Sequence, residues 1–172
     1  MTEPGDGLFD RLVACREDVF RVCLGFSRNP ADAEDLTQDV FLKAFARRDA
    51  LRNPYGSKIW LLRIARTTCL DRIRRDRRRP TISLNSLPRP AMDMARPDPP
   101  VDSGADLRRI KAAAARLPRR RREVFVLREY GGLSYEEIAR TLKIKIGTVM
   151  SRLNRARKAV AEAAREKIRE KD

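Results

Sequence analysis

The stretch that decides the fold is Leu133-Ser-Tyr-Glu-Glu-Ile-Ala-Arg-Thr-Leu142, followed after Lys143-Ile-Lys145 by Ile146-Gly-Thr-Val-Met-Ser-Arg-Leu-Asn-Arg-Ala-Arg-Lys158. Ser134 and Glu137 have the spacing of a capping box, and Leu133 and Ile138 occupy its two hydrophobic-staple positions, so a helix is expected from Tyr135 to Leu142. Three residues later a longer one begins. Ile146, Val149, Leu153, Ala156 and Val160 recur at intervals of three and four, a buried stripe on a helix running from Ile146 to about Lys167. A short capped helix, a tight turn and a long basic helix form the helix-turn-helix pattern. Winding at ~100° per residue sets Thr148, Ser151, Arg155 and Lys158 opposite the stripe, flanked by Arg152 and Asn154. Small and amide side chains near a helix start, with Arg and Lys beyond, suit entry into a major groove, where they meet base edges and phosphates.

Upstream, the punctuation continues. A helix from about Asp106 to Leu117 stops at Pro118, and another from Arg119 to Tyr130 ends at Gly131-Gly132. Residues 107–172 carry a net charge of +12. The preceding stretch, 80–106, is net −2, holds six of the ten prolines and lacks helical periodicity, which reads as an extended linker. Residues 1–79 are net +5 and read as three or four helices. The first runs from about Leu8 to Phe26, with Phe9, Leu12, Val13, Val19, Phe20 and Leu24 as its apolar set. The second is announced by Asn29-Pro30, an N-cap with proline at the first helical position, and reaches about Arg47. The third runs from Ser57 to Arg78. No β-alternation lasts for a full strand, so the fold class is all-α: two small helical domains, 1–79 and 106–172, joined by a flexible linker at 80–105.

Composition narrows the function. The chain of 172 residues has 39 Lys and Arg against 24 Asp and Glu, a net charge of +15, and no histidine. Without histidine, serine–histidine hydrolysis and His-ligated zinc are excluded, and no cofactor or metal ligand set is expected. Cys15, Cys23 and Cys69 fit neither a zinc pattern nor a paired framework and read as reduced thiols. No export signal or membrane-spanning run is visible, which points to the cytoplasm. Such an excess of Arg most often meets polyanions.

In the second helix Leu36, Val40, Phe41, Ala44 and Phe45 share a core face, while Asp35, Gln38, Asp39 and Leu42 point the other way. An exposed leucine among carboxylates suits a partner-binding patch, and it equally fits a charged outer face with one stray leucine. In the third, Leu62, Ala65, Cys69 and Ile73 form the expected buried stripe. Trp60, Arg63, Ile64, Thr67, Asp71 and Arg74 lie opposite. An aromatic beside arginines is the combination that holds unpaired strands, by stacking and phosphate contacts, though Trp60 fits a core seat as well.

Asp32-Ala-Glu-Asp-Leu-Thr-Gln-Asp-Val-Phe-Leu-Lys-Ala44, Trp60-Leu-Leu-Arg-Ile-Ala65 with Asp71 and its basic tail, and the helix-turn-helix quoted above occur in the order found in bacterial extracytoplasmic-function (ECF) sigma factors. This resemblance covers nearly the whole chain. It implies a promoter-specificity subunit of bacterial RNA polymerase, with no catalysis of its own. Asp35, Gln38, Asp39 and Leu42 would dock on core polymerase. Trp60, Arg63, Thr67, Asp71 and Arg74, with the loop from Asn53 to Lys58, would hold flipped-out bases of the melted −10 element. Lys145, Thr148, Ser151, Arg152, Asn154, Arg155 and Lys158 would read the −35 duplex. An anti-sigma factor is a common further partner in that family. The chain departs from the family pattern at Thr67, where asparagine is common, and at Lys143 and Lys145, where glycine and proline are often found. Met150 and Asn154 depart as well. Two other classes remain: a stand-alone dimeric helix-turn-helix regulator, which needs a dimer seam that the sequence does not show, and a small nuclease, which needs a carboxylate constellation in a cleft. The free chain is expected to be a monomer.

Overall fold

The computed structural model describes residues 6–51, 53, 56–78 and 103–169, all helix, turn or irregular chain without a strand among them. Its elements are α1 (Asp6–Ala14), α2 (Arg16–Ser27), α3 (Pro30–Ala46), a 3₁₀ turn (Arg48–Ala50), α4 (Ser57–Arg78), α5 (Ser103–Arg116), α6 (Arg119–Phe125), continued by a π-helical turn (Val126–Tyr130), α7 (Tyr135–Leu142) and α8 (Ile146–Arg169). The expected linker lies outside the described residues as far as 102, and α5 begins at Ser103, three residues before the expected start. Arg79 and the loop positions 52, 54 and 55 also lie outside them.

The caps explain where the helices start. The Asn29 side chain accepts hydrogen bonds from the backbone N–H groups of Ala31 at 2.8 Å and Asp32 at 3.4 Å, and Pro30 opens α3 with no N–H to satisfy. The capping box of α7 is complete: Ser134 Oγ accepts from the Glu137 N–H at 3.2 Å, and the Glu137 carboxylate accepts from the Ser134 N–H at 2.7 Å. The α7–α8 turn is closed by Lys143 in the left-handed conformation, φ 54°. That is the position where glycine carries no Cβ penalty.

In the first domain α2, α3 and α4 pack on one another around Val19, Val22, Leu36, Val40, Leu61 and Leu62, with Leu12 of α1 closing one end. In the second, α5, α6 and α7 pack against α8 through Leu117, Val124, Ile138, Val149 and Leu153. The domains also touch: α2 lies against the π-helical turn, and α4 reaches α7.

Four expectations are corrected. The helix drawn from Leu8 to Phe26 is two helices, broken at Cys15, whose N–H bonds to the Leu12 carbonyl in a tightened turn. Phe9 stacks on Phe45 of α3, ring centroids 5.5 Å apart, and Phe9 and Val13 of the expected apolar set sit at the surface, 52% and 44% exposed. Ile64, placed on the outer face of α4, is buried because α4 is covered by α1, α2 and α3 and touched by α7, which widens its buried face beyond one stripe; Ile73 of the expected stripe is only half-buried. Ile146, given to the α8 stripe, is 42% exposed, and the half-buried Ile144 of the turn packs against the core just before it.

Candidate nucleic-acid interface

Leu153 and Val149 seat α8 on α5, α6 and α7, which fixes which side of the helix faces water. On that outer side Lys145, Ser151, Asn154, Arg155 and Lys158 are exposed and Thr148 and Arg152 are half-buried. The Ser151 hydroxyl donates to the Thr148 carbonyl at 3.1 Å, and Lys158 lies 4.0 Å from Glu162 one turn on. Asn154, an amide able to donate and accept, and Arg155, a five-donor fork, are both exposed on this face. Arg157, outside the predicted set, points away from the face and puts two N–H groups on Glu129 at 2.9 and 2.6 Å, tying α8 to the end of the π turn. That contact holds its guanidinium above the ordinary arginine range. Arg128 lies 5.2 Å over the Tyr135 ring and donates to the Leu133 carbonyl at 2.7 Å, which locks the entry to α7.

On α4 the predicted set splits. Arg63, Thr67 and Arg74 are exposed along one face, and Asp71 is half-buried and paired with Arg74 at 3.1 Å. The Thr67 hydroxyl donates to the Arg63 carbonyl at 2.9 Å, leaving its methyl and one oxygen face outward. Trp60 is half-buried and packs against the core. Part of the loop expected to assist, from Asn53 to Lys58, lies outside the described residues.

The face of α3 is as exposed as the sequence implies. Leu42 is 68% exposed, Asp35 and Gln38 are exposed and Asp39 is half-buried. Beside it Val13, Arg16, Thr37, Gln38 and Phe41 line a groove of ≈ 220 Å³. Phe9, stacked on Phe45, and Val13, lining the groove with Gln38 and Phe41, add exposed apolar surface on this side of the domain. The pattern gave no signal of this, because at ~100° per residue Phe9 and Val13 fall within the same apolar arc as Phe20 and Leu24.

A second cleft, of ≈ 440 Å³, runs between the two domains and is lined by Arg66, Arg119, Arg120, Glu123, Leu142, Ile144 and Arg152. Arg66 and Glu123 were not singled out in the sequence, since a basic residue on a basic helix and one acid in an arginine run carry no distinguishing pattern. The run Arg119–Arg122 is partly structural. Arg119 donates to Glu123 at 2.9 Å, and Arg122 donates to the carbonyls of Ala115 and Leu117, both at 2.9 Å, satisfying the end of α5. Among the described residues no group of three or more His, Cys, Asp or Glu is arranged to hold a metal ion, and no helix is long and apolar enough to cross a membrane.

Cys23 and Cys69 are buried in the first domain with their sulfurs 3.8 Å apart. The hydrogen bond between them, and then burial, pushes the Cys69 thiol far above its usual range, so neither the geometry nor the protonation offers a reactive thiolate there.

Comparison with known proteins places the chain in a family. The family model of sigma-70 region 2 matches residues 12–79, and that of sigma-70 region 4 matches residues 107–160. The chain is 38% identical over 162 residues to the ECF RNA polymerase sigma factor SigE of Mycolicibacterium smegmatis, covering 90% of this chain and 60% of that protein. It is 32% identical to the ECF RNA polymerase sigma factor SigC of Mycobacterium tuberculosis, covering 86% of this chain and 77% of the relative. Among solved structures, the sigma factor RpoE of Bartonella quintana, in complex with the anti-sigma factor NepR, superposes with a TM-score of 0.68 at 28% identity, covering 92% of this chain and 94% of that one. The chain thus spans about three-fifths of SigE and most of the others.

Proposed function

We propose, for a chain that belongs to the extracytoplasmic-function sigma factors of bacterial RNA polymerase, that it binds core polymerase and directs initiation at promoters by recognising −10 and −35 elements. The observation that carries this reading is the pairing, in one chain, of an exposed polar and basic face on α8 with an exposed leucine among acids on α3. A regulator acting alone on duplex DNA needs the first face and has no use for the second.

Each part then has a task. Asp35, Gln38, Asp39 and Leu42, widened by Phe9 and Val13, meet core polymerase. Arg63, Thr67, Asp71 and Arg74, with Trp60, hold the unpaired −10 strand, where stacking compensates the few kcal/mol that each flipped base costs. Thr148, Ser151, Arg152, Asn154 and Arg155 face the −35 major groove, with Lys145 and Lys158 at its phosphates. Polymerase supplies all catalysis, and the protein acts in the cytoplasm, on the nucleoid when bound to polymerase. An anti-sigma factor is a further partner on this reading, as it is for the Bartonella RpoE.

The test adds the purified protein to sigma-free core polymerase on genomic DNA and sequences transcript 5′ ends. Discrete new starts sharing upstream −35 and −10 elements are expected. Absence of both core binding and new starts would overturn the reading.

A further inference from the structure

Among the described residues six large apolar side chains are exposed. Phe9, Val13 and Leu42 belong to the side of the first domain given to polymerase, and Ile110 lies on α5. The other two, Ile146 and Met150, are 42% and 52% exposed and stand one turn apart at the start of α8. A single exposed aliphatic residue needs no explanation, but two at i and i+4 are neighbours and make a patch. Winding at ~100° per residue sets Met150 ~40° from Ile146 on one side and ~40° from Asn154 on the other. The three form one row along the edge of the face that carries Ser151 and Arg155.

Gly147 lies between that row and Ser151. Its backbone is not left-handed, and a Cβ on it would meet nothing within 4 Å, so the fold itself does not require glycine there. A missing side chain at such a spot lets an outside body approach the backbone closely. The surrounding charge selects the kind of body. From Ile146 to Ala161 there is no acidic residue, while Arg152, Arg155, Arg157 and Lys158 are cationic, and Lys143 and Lys145 precede them. An apolar row set in such a field fits a polyanion that also offers an apolar group. The major groove of duplex DNA offers one, the 5-methyl of thymine.

The chemistry of the two side chains agrees. Isoleucine has no hydrogen-bonding group and methionine only a weakly accepting sulfur, so neither distinguishes the donors and acceptors of base edges. Ile146 is β-branched and stiff, and Met150 is flexible and polarizable, which gives a fixed wall beside an adaptable one. At 1.5 Å per residue the pair spans ~6 Å of helix, on the order of two base-pair steps of ~3.4 Å.

We propose that Ile146 and Met150 read thymine through its 5-methyl group within the −35 duplex, so that one or two thymines beside the base seen by Asn154 are a requirement of the promoters this chain selects. The proposal rests on the sigma-factor reading above and names a base that its α8 face selects.

The test uses the full chain assembled with core polymerase, on a duplex promoter identified from transcript 5′ ends. Each thymine of its −35 element is replaced in turn by deoxyuridine, which keeps the base pair and the groove oxygen and loses only the methyl. Binding is compared for the unchanged protein, Met150→Leu and Ile146→Ala/Met150→Ala, with melting temperatures to show that each is folded. At one or two positions uracil should weaken binding by the unchanged protein about fourfold, the worth of one buried methyl. Met150→Leu keeps the apolar contact and should keep that loss, whereas Ile146→Ala/Met150→Ala should bind thymine and uracil duplexes equally. A −35 element without thymine overturns the proposal, and so does uracil tolerated at every position. A uracil effect that persists in Ile146→Ala/Met150→Ala overturns it too; if that variant loses affinity for core polymerase instead, the patch is a protein-docking surface. In all of these cases the unchanged holoenzyme still holds its promoter, and the sigma-factor reading stands. If the unchanged protein forms no promoter complex with core polymerase, that reading falls and the proposal with it.

Discussion

Leu42 provides the sharpest separation of function from stability in the first domain. At 68% exposure it leaves about two-thirds of its side chain in water. Full burial of a leucine contributes about 1.5–3 kcal/mol, so a partner covering Leu42 still has about 1–2 kcal/mol to gain. Leu42→Ala should therefore weaken binding to core polymerase by roughly 5- to 30-fold. The same change should alter the folding stability by less than about 0.5 kcal/mol, because it removes a side chain that touches little. Leu36, on the opposite side of α3 and nearly fully buried, is the control: Leu36→Ala should cost about 2–5 kcal/mol of stability. The assay is paired, with urea unfolding by circular dichroism for stability and titration of labelled protein with sigma-free core polymerase for affinity. A Leu42→Ala protein that binds core within twofold of the original, while folding normally, would refute the argument that this face is a docking surface.

The second domain offers three further tests. Ser134→Ala removes one half of the capping box and should lower stability by about 1 kcal/mol, read as a lower melting temperature; an unchanged melt means that the α7 start is held by Leu133 and Ile138 alone. Lys143→Gly relieves a left-handed lysine and should raise stability by about 1 kcal/mol, and a lower melting temperature would show that the lysine side chain compensates its backbone. Arg155→Ala should weaken −35 binding by about 1–3 kcal/mol at one base position; a uniform loss over all duplex sequences would make Arg155 a phosphate contact and leave Asn154 as the open reader on that face.

What was legible in the sequence is what local chemistry encodes. Asn29-Pro30, Ser134 with Glu137, and Gly131-Gly132 act through atoms within a few residues, so α3, α7 and the end of the π turn could be located before any packing was known. The outer faces of α3 and α8 were legible because each helix is buried on one side only, which makes a 3.6-residue period a faithful guide. Legibility failed where burial came from more than one direction. Ile64 lies under several helices, and Phe9, beyond the break at Cys15, stacks on Phe45. Neither is a property of a single helix. The seam between the domains was invisible for a stronger reason. Gly25 reads as a weak point in a helix and Glu123 as one acid among arginines. A Cβ on Gly25 would stand 2.8 Å from Val126 Cγ2, and Glu123 accepts from Arg66 at 2.7 Å, so both acquire meaning only from residues far along the chain.

Charge makes that seam more than a packing detail. The domains carry net charges of +5 and +12, so bringing them together works against their mutual repulsion. At physiological salt charges separated by more than about 8 Å are largely screened, which leaves the short-range groups at the seam to decide the balance. Those groups are opposed. Arg66 on Glu123 and the glycine contacts close the body, while Arg28 and Arg77 crowd the half-buried Arg122.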